Sequence, residues 1–116
     1  MTDLLPCPSC GFLVIDEGYG SFDICRFCGW EDDGVQLANP LSGGGANRES
    51  LAEAQQKALL QFPLSLNESL GFKRSEKWRP LNQTEIEQFQ ATLKSSPWPF
   101  HAVCIESEAY WSAPNP

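Results

Sequence analysis

Four of the five cysteines form two Cys-x-x-Cys pairs, Cys7 with Cys10 and Cys25 with Cys28. A two-residue spacer allows both sulfurs of a pair to reach one tetrahedral centre. A glycine follows each pair, at the point where the chain must turn away with little side-chain bulk. The sequence therefore predicts two tight turns that bring four sulfurs to a single ion.

Thiolate sulfur suits zinc, and four protein ligands fill its coordination sphere. We predict one structural Zn²⁺ ion held by the four paired cysteines, with no open position for a water or a substrate. Iron in a rubredoxin-like site would use the same ligands, and redox-active dithiols are a further alternative. The chain starts without a basic and apolar leader, so we expect a cytoplasmic protein whose thiols stay reduced.

The segment between the two pairs has the pattern of a β-hairpin. An apolar run at residues 12–15 and a short run at residues 22–24 flank the turn-like residues 16–21. Such a hairpin would carry a cysteine pair at each end, which is the layout of a zinc ribbon. We assign this ribbon to residues 1–40.

The first helix of the remainder is predicted from its starting signal. Ser50 and Glu53 have the spacing of a capping box, in which a hydroxyl and a carboxylate satisfy the first free backbone N–H groups. Apolar residues then recur at helical spacing until Pro63. We predict an amphipathic helix over residues 51–62.

A second box-like start at residues 82–85 predicts another amphipathic helix over about residues 83–95. Residues 100–105 have a short apolar, β-like character, which predicts a C-terminal strand. The fold class is therefore α+β. We expect residues 41–116 to form a small helical part with this strand, packed as one domain with the ribbon, and tryptophans filling the seams.

The charge balance restricts the classes of function. The chain carries 15 acidic and 8 basic residues, a formal net charge of −7. Such a surface repels phosphate backbones, so nucleic-acid binding is disfavoured. The basic stretch at residues 73–79 leaves a nucleic-acid-associated zinc ribbon as an alternative. No window approaches the roughly 18 apolar residues of a membrane span, so we expect no membrane role.

Three carboxylates follow the second cysteine pair directly. Complementary charge steers protein association, so Trp30, Glu31, Asp32 and Asp33 are predicted to contact a basic protein partner. A hard cation is the alternative ligand, although the spacing differs from that of a calcium loop.

Catalytic groups are hard to find in this sequence. Cys104 and His101 would suit a thiol-dependent enzyme, but no third group that would orient them is recognisable. We therefore predict a non-catalytic structural-zinc protein that acts as a protein-binding module. Its most concrete form is an acidic immunity or antitoxin-type inhibitor of a basic bacterial toxin.

Several segments resemble the bacterial cysteine-rich CPCC family over residues 6–62: Pro6-Cys-Pro-Ser-Cys-Gly11, Asp23-Ile-Cys-Arg-Phe-Cys-Gly-Trp-Glu-Asp-Asp-Gly34, Gly44-Gly-Ala-Asn47 and Ser50-Leu-Ala-Glu-Ala54. The family motif is Cys-Pro-Cys-Cys, and here Ser9 takes its third position. The resemblance implies metal binding by Cys7, Cys10, Cys25 and Cys28, and it implies little about activity. Residues 63–116 fall outside it.

Overall fold

The computed structural model describes residues 4–16, 18–96 and 98–112. The strands are β1 (Leu5–Pro6), β2 (Leu13–Ile15), β3 (Glu68–Ser69) and β4 (Phe72–Lys73). The α-helices are α1 (Gly34–Ala38), α2 (Leu51–Gln61) and α3 (Gln83–Leu93), and two 3₁₀ turns follow at Glu106–Glu108 and Tyr110–Ser112. This mixture of two small antiparallel hairpins and three helices confirms the predicted α+β class.

The pairing of the first hairpin differs from the prediction. Strand β2 pairs antiparallel with β1, which precedes the first cysteine pair, and not with residues 22–24. Ile24 instead forms an isolated bridge with Glu31 across the second cysteine pair. Each pair of cysteines is thus enclosed by antiparallel pairing of the residues on either side of it. Closing two short loops costs less chain entropy than closing the longer loop that the prediction required.

The predicted C-terminal strand is wrong. Residues 100–105 run along α1 without any ladder, and no strand occurs in residues 98–112. The Val103 N–H donates to the Gly34 carbonyl at 2.9 Å, and Phe100 exchanges hydrogen bonds with the Asn39 side chain. The backbone of residues 100–105 thus forms hydrogen bonds with α1 and with the Asn39 side chain. Neither neighbour offers the row of free N–H and C=O groups with which a β-strand pairs.

Both predicted helices start at the predicted capping boxes. Ser50 and Glu53 exchange hydrogen bonds at the start of α2, and Asn82 and Glu85 do so at the start of α3. Helix α2 buries Leu51, Ala54, Gln55 and Ala58, whereas no residue of α3 is fully buried. Helix α1 and the β3–β4 hairpin were not predicted. Within the described ranges, no helix is long and apolar enough to cross a membrane.

The core is shared by the two predicted parts of the chain. The Phe12 ring stacks on the Phe27 ring, with centroids 4.5 Å apart, and the Phe62 ring packs edge-on against both. Trp30, Trp78 and Trp111 are buried, as expected of tryptophans at seams, whereas Trp98 is exposed. Residues from the helical part therefore pack directly around the cysteine pairs.

Candidate metal centre

The four paired cysteines meet in one cluster. Their Sγ atoms all lie within 4.8 Å of one another, with Cys7 to Cys28 at 3.6 Å and Cys10 to Cys25 at 3.7 Å. All four are free of disulfides. A tetrahedron with metal–sulfur bonds of about 2.3 Å has edges of about 3.8 Å, so the spacing fits four thiolates around one ion.

Each cysteine pair is held by the same tight turn. The Gly11 N–H donates to the Cys7 carbonyl at 2.8 Å, and the Gly29 N–H donates to the Cys25 carbonyl at 2.9 Å. Both glycines adopt positive φ, +81° for Gly11 and +79° for Gly29, which side chains with a Cβ disfavour. We call these turns the first knuckle, residues 7–11, and the second knuckle, residues 25–29.

Burial and hydrogen bonds between the four thiols shift their pKa values in a way that favours binding of a cation. Burial raises the pKa of the Cys7 thiol, and hydrogen bonding with Cys25 raises the pKa of Cys10. Hydrogen bonding with Cys10 lowers the pKa of both Cys25 and Cys28. Four thiols this close together cannot all ionise without a nearby positive charge, because neighbouring thiolates repel one another. A bound divalent ion would displace the remaining protons and stabilise all four sulfurs as thiolates.

The donor set fits a structural metal ion. Four sulfurs from the protein complete a tetrahedral sphere, whereas a catalytic zinc keeps an open position. Among the described residues, no histidine, aspartate or glutamate joins the cluster. The structure thus shows a four-cysteine cluster that is compatible with metal binding.

The segment that contains the four clustered cysteines also matches a known protein family. The sequence model of the cysteine-rich CPCC family matches residues 5–66, which is more than half of the chain. The chain belongs to the cysteine-rich CPCC family. Comparison with curated proteins gave no match. The matched segment contains both knuckles and α2, and its Ser9, at the third motif position, is buried.

The acidic residues after the second knuckle are mostly inside this CPCC protein. Trp30 is 3% exposed, Asp32 is 0% exposed and Asp33 is 6% exposed, while Glu31 is half-buried. The structure corrects the predicted partner surface at Trp30, Asp32 and Asp33, because a partner cannot reach buried side chains. The sequence did not reveal this burial, because a run of acidic residues is identical in sequence whether its carboxylates face water or accept hydrogen bonds from backbone N–H groups.

The two buried carboxylates have structural tasks. Asp33 caps α1 by accepting from the Val35 and Gln36 N–H groups, and it also accepts from the Ala46 N–H. Asp32 accepts from the backbone N–H groups of Gly20 and Ser21, and from the Ser21 hydroxyl at 2.7 Å. These bonds partly offset the cost of burying both carboxylates, neither of which forms an ion pair among the described residues.

Asp32 also fixes the loop that precedes the second knuckle. Its backbone carbonyl accepts from the Phe22 N–H and its own N–H donates to the Asp23 carbonyl, both at 2.9 Å. Phe22 is held at φ 63°, and its side chain is 58% exposed; Ile24 is 68% exposed. We call Phe22, Asp23 and Ile24 the acidic loop. Sequence reasoning placed them in a hairpin strand and missed this exposed surface.

The basic stretch at residues 73–79 gives little support to nucleic-acid binding. Arg74 is buried, and Arg79 forms a bidentate ion pair with Glu85 at 2.7 and 3.0 Å. The exposed cations of this basic stretch are Lys73 and Lys77. Two separated lysines on an acidic chain are a weak phosphate site.

The thiol-enzyme alternative also lacks a supporting geometry. His101 and Cys104 are both exposed, and no hydrogen bond orients the His101 ring among the described residues. His101 lines an open, largely apolar cleft of about 410 Å³ between α1, α3 and the segment after Pro99, but Cys104 does not line it. The structure therefore shows no nucleophile–base pair at these two residues.

Proposed function

We propose that this CPCC protein is a non-catalytic protein-binding module stabilised by one structural Zn²⁺ ion. The four-sulfur geometry and the closed donor set support the ion and its structural role. Reduced, metal-bound cysteines suit a cytoplasmic location, which we also propose. The metal centre in this proposal supplies a rigid frame, and binding occurs at the surface beside it.

The acidic loop is the observation that carries the proposal. Phe22 and Ile24 leave large apolar side chains in water on either side of the exposed Asp23 carboxylate. A non-glycine residue in the left-handed region costs roughly 1–2 kcal/mol, and such strain concentrates at functional sites. Hydrogen bonds to the buried Asp32 hold the loop in this conformation. Because the loop is already ordered, a partner that binds it loses little further conformational entropy.

Charge indicates the chemistry of the partner. Asp16 and Asp23 are exposed, Glu31 is half-buried, and the whole chain carries −7. A partner with an apolar pocket rimmed by lysine or arginine would complement this surface and associate faster through steering. The most concrete form of the proposal is an immunity or antitoxin-type inhibitor that covers a basic site of a bacterial toxin.

A capture experiment tests the surface. The zinc-loaded full chain is immobilised and exposed to lysate of the cells that produce it, at low and at high salt. We expect a basic protein to be retained by the wild type at low salt and to be released at high salt, because charge attraction is screened. The double variant Phe22→Asn with Ile24→Ser should lose most of this capture. Asparagine tolerates the left-handed conformation, so the loop should keep its shape.

Leu60→Ser is the matched control, because Leu60 is 86% exposed on α2 and lies outside the acidic loop. It should capture the same protein as the wild type. If the control and the loop variant lose capture equally, the loop is not the binding surface. Co-expression then tests the inhibitor role: the wild type should suppress toxicity of the captured protein and the loop variant should not. Capture of a protein without toxicity would refute the inhibitor role alone.

A further inference from the structure

Arg74 is a buried cation that forms no ion pair with a carboxylate in the described part of the chain. Its side chain is 8% exposed, and the two ion pairs among the described residues involve other side chains. The guanidinium donates instead to four backbone carbonyls: Cys10 at 2.9 Å, Phe62 at 2.7 Å, Pro63 at 2.6 Å and Leu66 at 2.9 Å. These bonds use four of the five N–H groups of the guanidinium and provide no formal counter-charge.

Burying such a charge is costly unless something nearby offsets it. The Phe12 ring, with its centroid 4.6 Å from the guanidinium carbon, offers a partial compensation through its π face. Neither a ring nor neutral carbonyls supply a full negative charge.

The metal centre would supply that charge. Four thiolates around one divalent ion would carry a net charge of −2, and this charge would lie in the interior, where Cys7 and Cys10 are fully buried. Arg74 reaches the first knuckle directly, through its Nε bond to the Cys10 carbonyl. Water and salt screen the attraction between a buried anion and a buried cation less than they screen the attraction between exposed charges.

We propose that Arg74 is the counter-ion and a positioning residue of the metal centre. Its charge offsets the negative tetrathiolate, and its hydrogen bonds tie the first knuckle to the chain segment after α2. The inference rests on the metal binding proposed above, and it is independent of the partner. Arg74 lies beyond the segment that the CPCC family model matches, so residues outside that segment complete the centre of this chain.

Competition with a zinc chelator measures the effect. In the full chain, Arg74→Gln should weaken the affinity for Zn²⁺ about 10- to 100-fold, as substitutions of groups that support metal ligands do. Lys73→Gln is the matched control, since it removes the same charge from the neighbouring, exposed residue. It should stay within about twofold of the wild type, because exposed charges are screened by water and salt.

Cobalt spectroscopy separates charge from packing. A positive charge near sulfur stabilises its lone pairs, so Arg74→Gln should move the sulfur-to-Co²⁺ charge-transfer band to longer wavelength. Arg74→Lys keeps the charge while losing the four-carbonyl geometry, and its band should stay close to that of the wild type even if its stability falls. This variant also serves if Arg74→Gln does not fold.

Three results would overturn the inference. The first is an unchanged zinc affinity in Arg74→Gln. The second is a band that moves equally in Arg74→Gln and Arg74→Lys, which would leave Arg74 with a packing role only. The third is a wild type that binds neither Zn²⁺ nor Co²⁺, which would also refute the structural-zinc part of the proposed function. Failure of the protein capture alone leaves the inference intact.

Discussion

Replacing Cys7 or Cys10 by serine is expected to abolish tight metal binding and to unfold the region around the two knuckles. Structural zinc contributes about 10–16 kcal/mol in small domains, which is comparable to the roughly 5–15 kcal/mol stability of a whole domain. Both side chains are 0% exposed, so the new hydroxyl would also be buried among sulfurs and apolar groups. Elemental analysis and thermal unfolding of the purified chain measure the two effects.

Cys104→Ser is the control for this prediction. Cys104 is exposed and lies outside the four-cysteine cluster, so the variant should keep one metal ion per chain and the unfolding temperature of the wild type. Treating the wild type with a strong chelator should reproduce the unfolding seen in the knuckle variants. A Cys7→Ser protein with a full metal content and an unchanged unfolding temperature would contradict the assignment of the centre.

Gly11→Ala should destabilise the protein by about 2–5 kcal/mol, the sum of backbone strain and overpacking. Gly11 has φ +81°, and an added Cβ would clash with the indole ring of Trp78. Trp78 is 5% exposed, and its indole N–H donates to the Pro8 carbonyl at 3.1 Å. The ring is therefore held by this bond and cannot move aside without losing a buried hydrogen bond.

Gly29→Ala isolates the backbone part of that cost. Gly29 occupies the equivalent position of the second knuckle at φ +79°, and nothing lies within 4 Å of its added Cβ. It should lose only about 1–2 kcal/mol, the cost of the left-handed conformation. Denaturant unfolding of the two metal-loaded variants gives the comparison. Equal losses of unfolding free energy in the two variants would show that the clash with Trp78 does not contribute to the cost of Gly11→Ala.

The local signals in the sequence gave reliable predictions. The capping boxes at Ser50 and Asn82 were confirmed because the hydroxyl or amide, the carboxylate and the N–H groups that they satisfy lie within one helical turn. The four cysteines met for a similar reason, since each Cys-x-x-Cys-Gly turn is closed by its own backbone hydrogen bonds. Such features depend on neighbours along the chain and vary little with the rest of the fold.

The failed predictions all depended on distant neighbours. An apolar run at residues 12–15 needs a strand partner, and periodicity does not say whether that partner is β1 or residues 22–24. Residues 100–105 looked like a strand, but they lie against α1, which has no free row of backbone groups to offer. The tertiary surroundings therefore overrode a local β preference.

Sequence alone determined the four cysteines of the cluster, the two main helices and the α+β class, because spacing and capping act within a few residues. Only the tertiary structure decided which charges are available at the surface. The tertiary structure buries Asp32, which bonds to Ser21, and Arg74, which bonds to the first knuckle. It also leaves the apolar side chain of Phe22 exposed to water. The physical reason is that burial and pairing depend on chain segments that are far apart in sequence, such as Arg74 and Cys10.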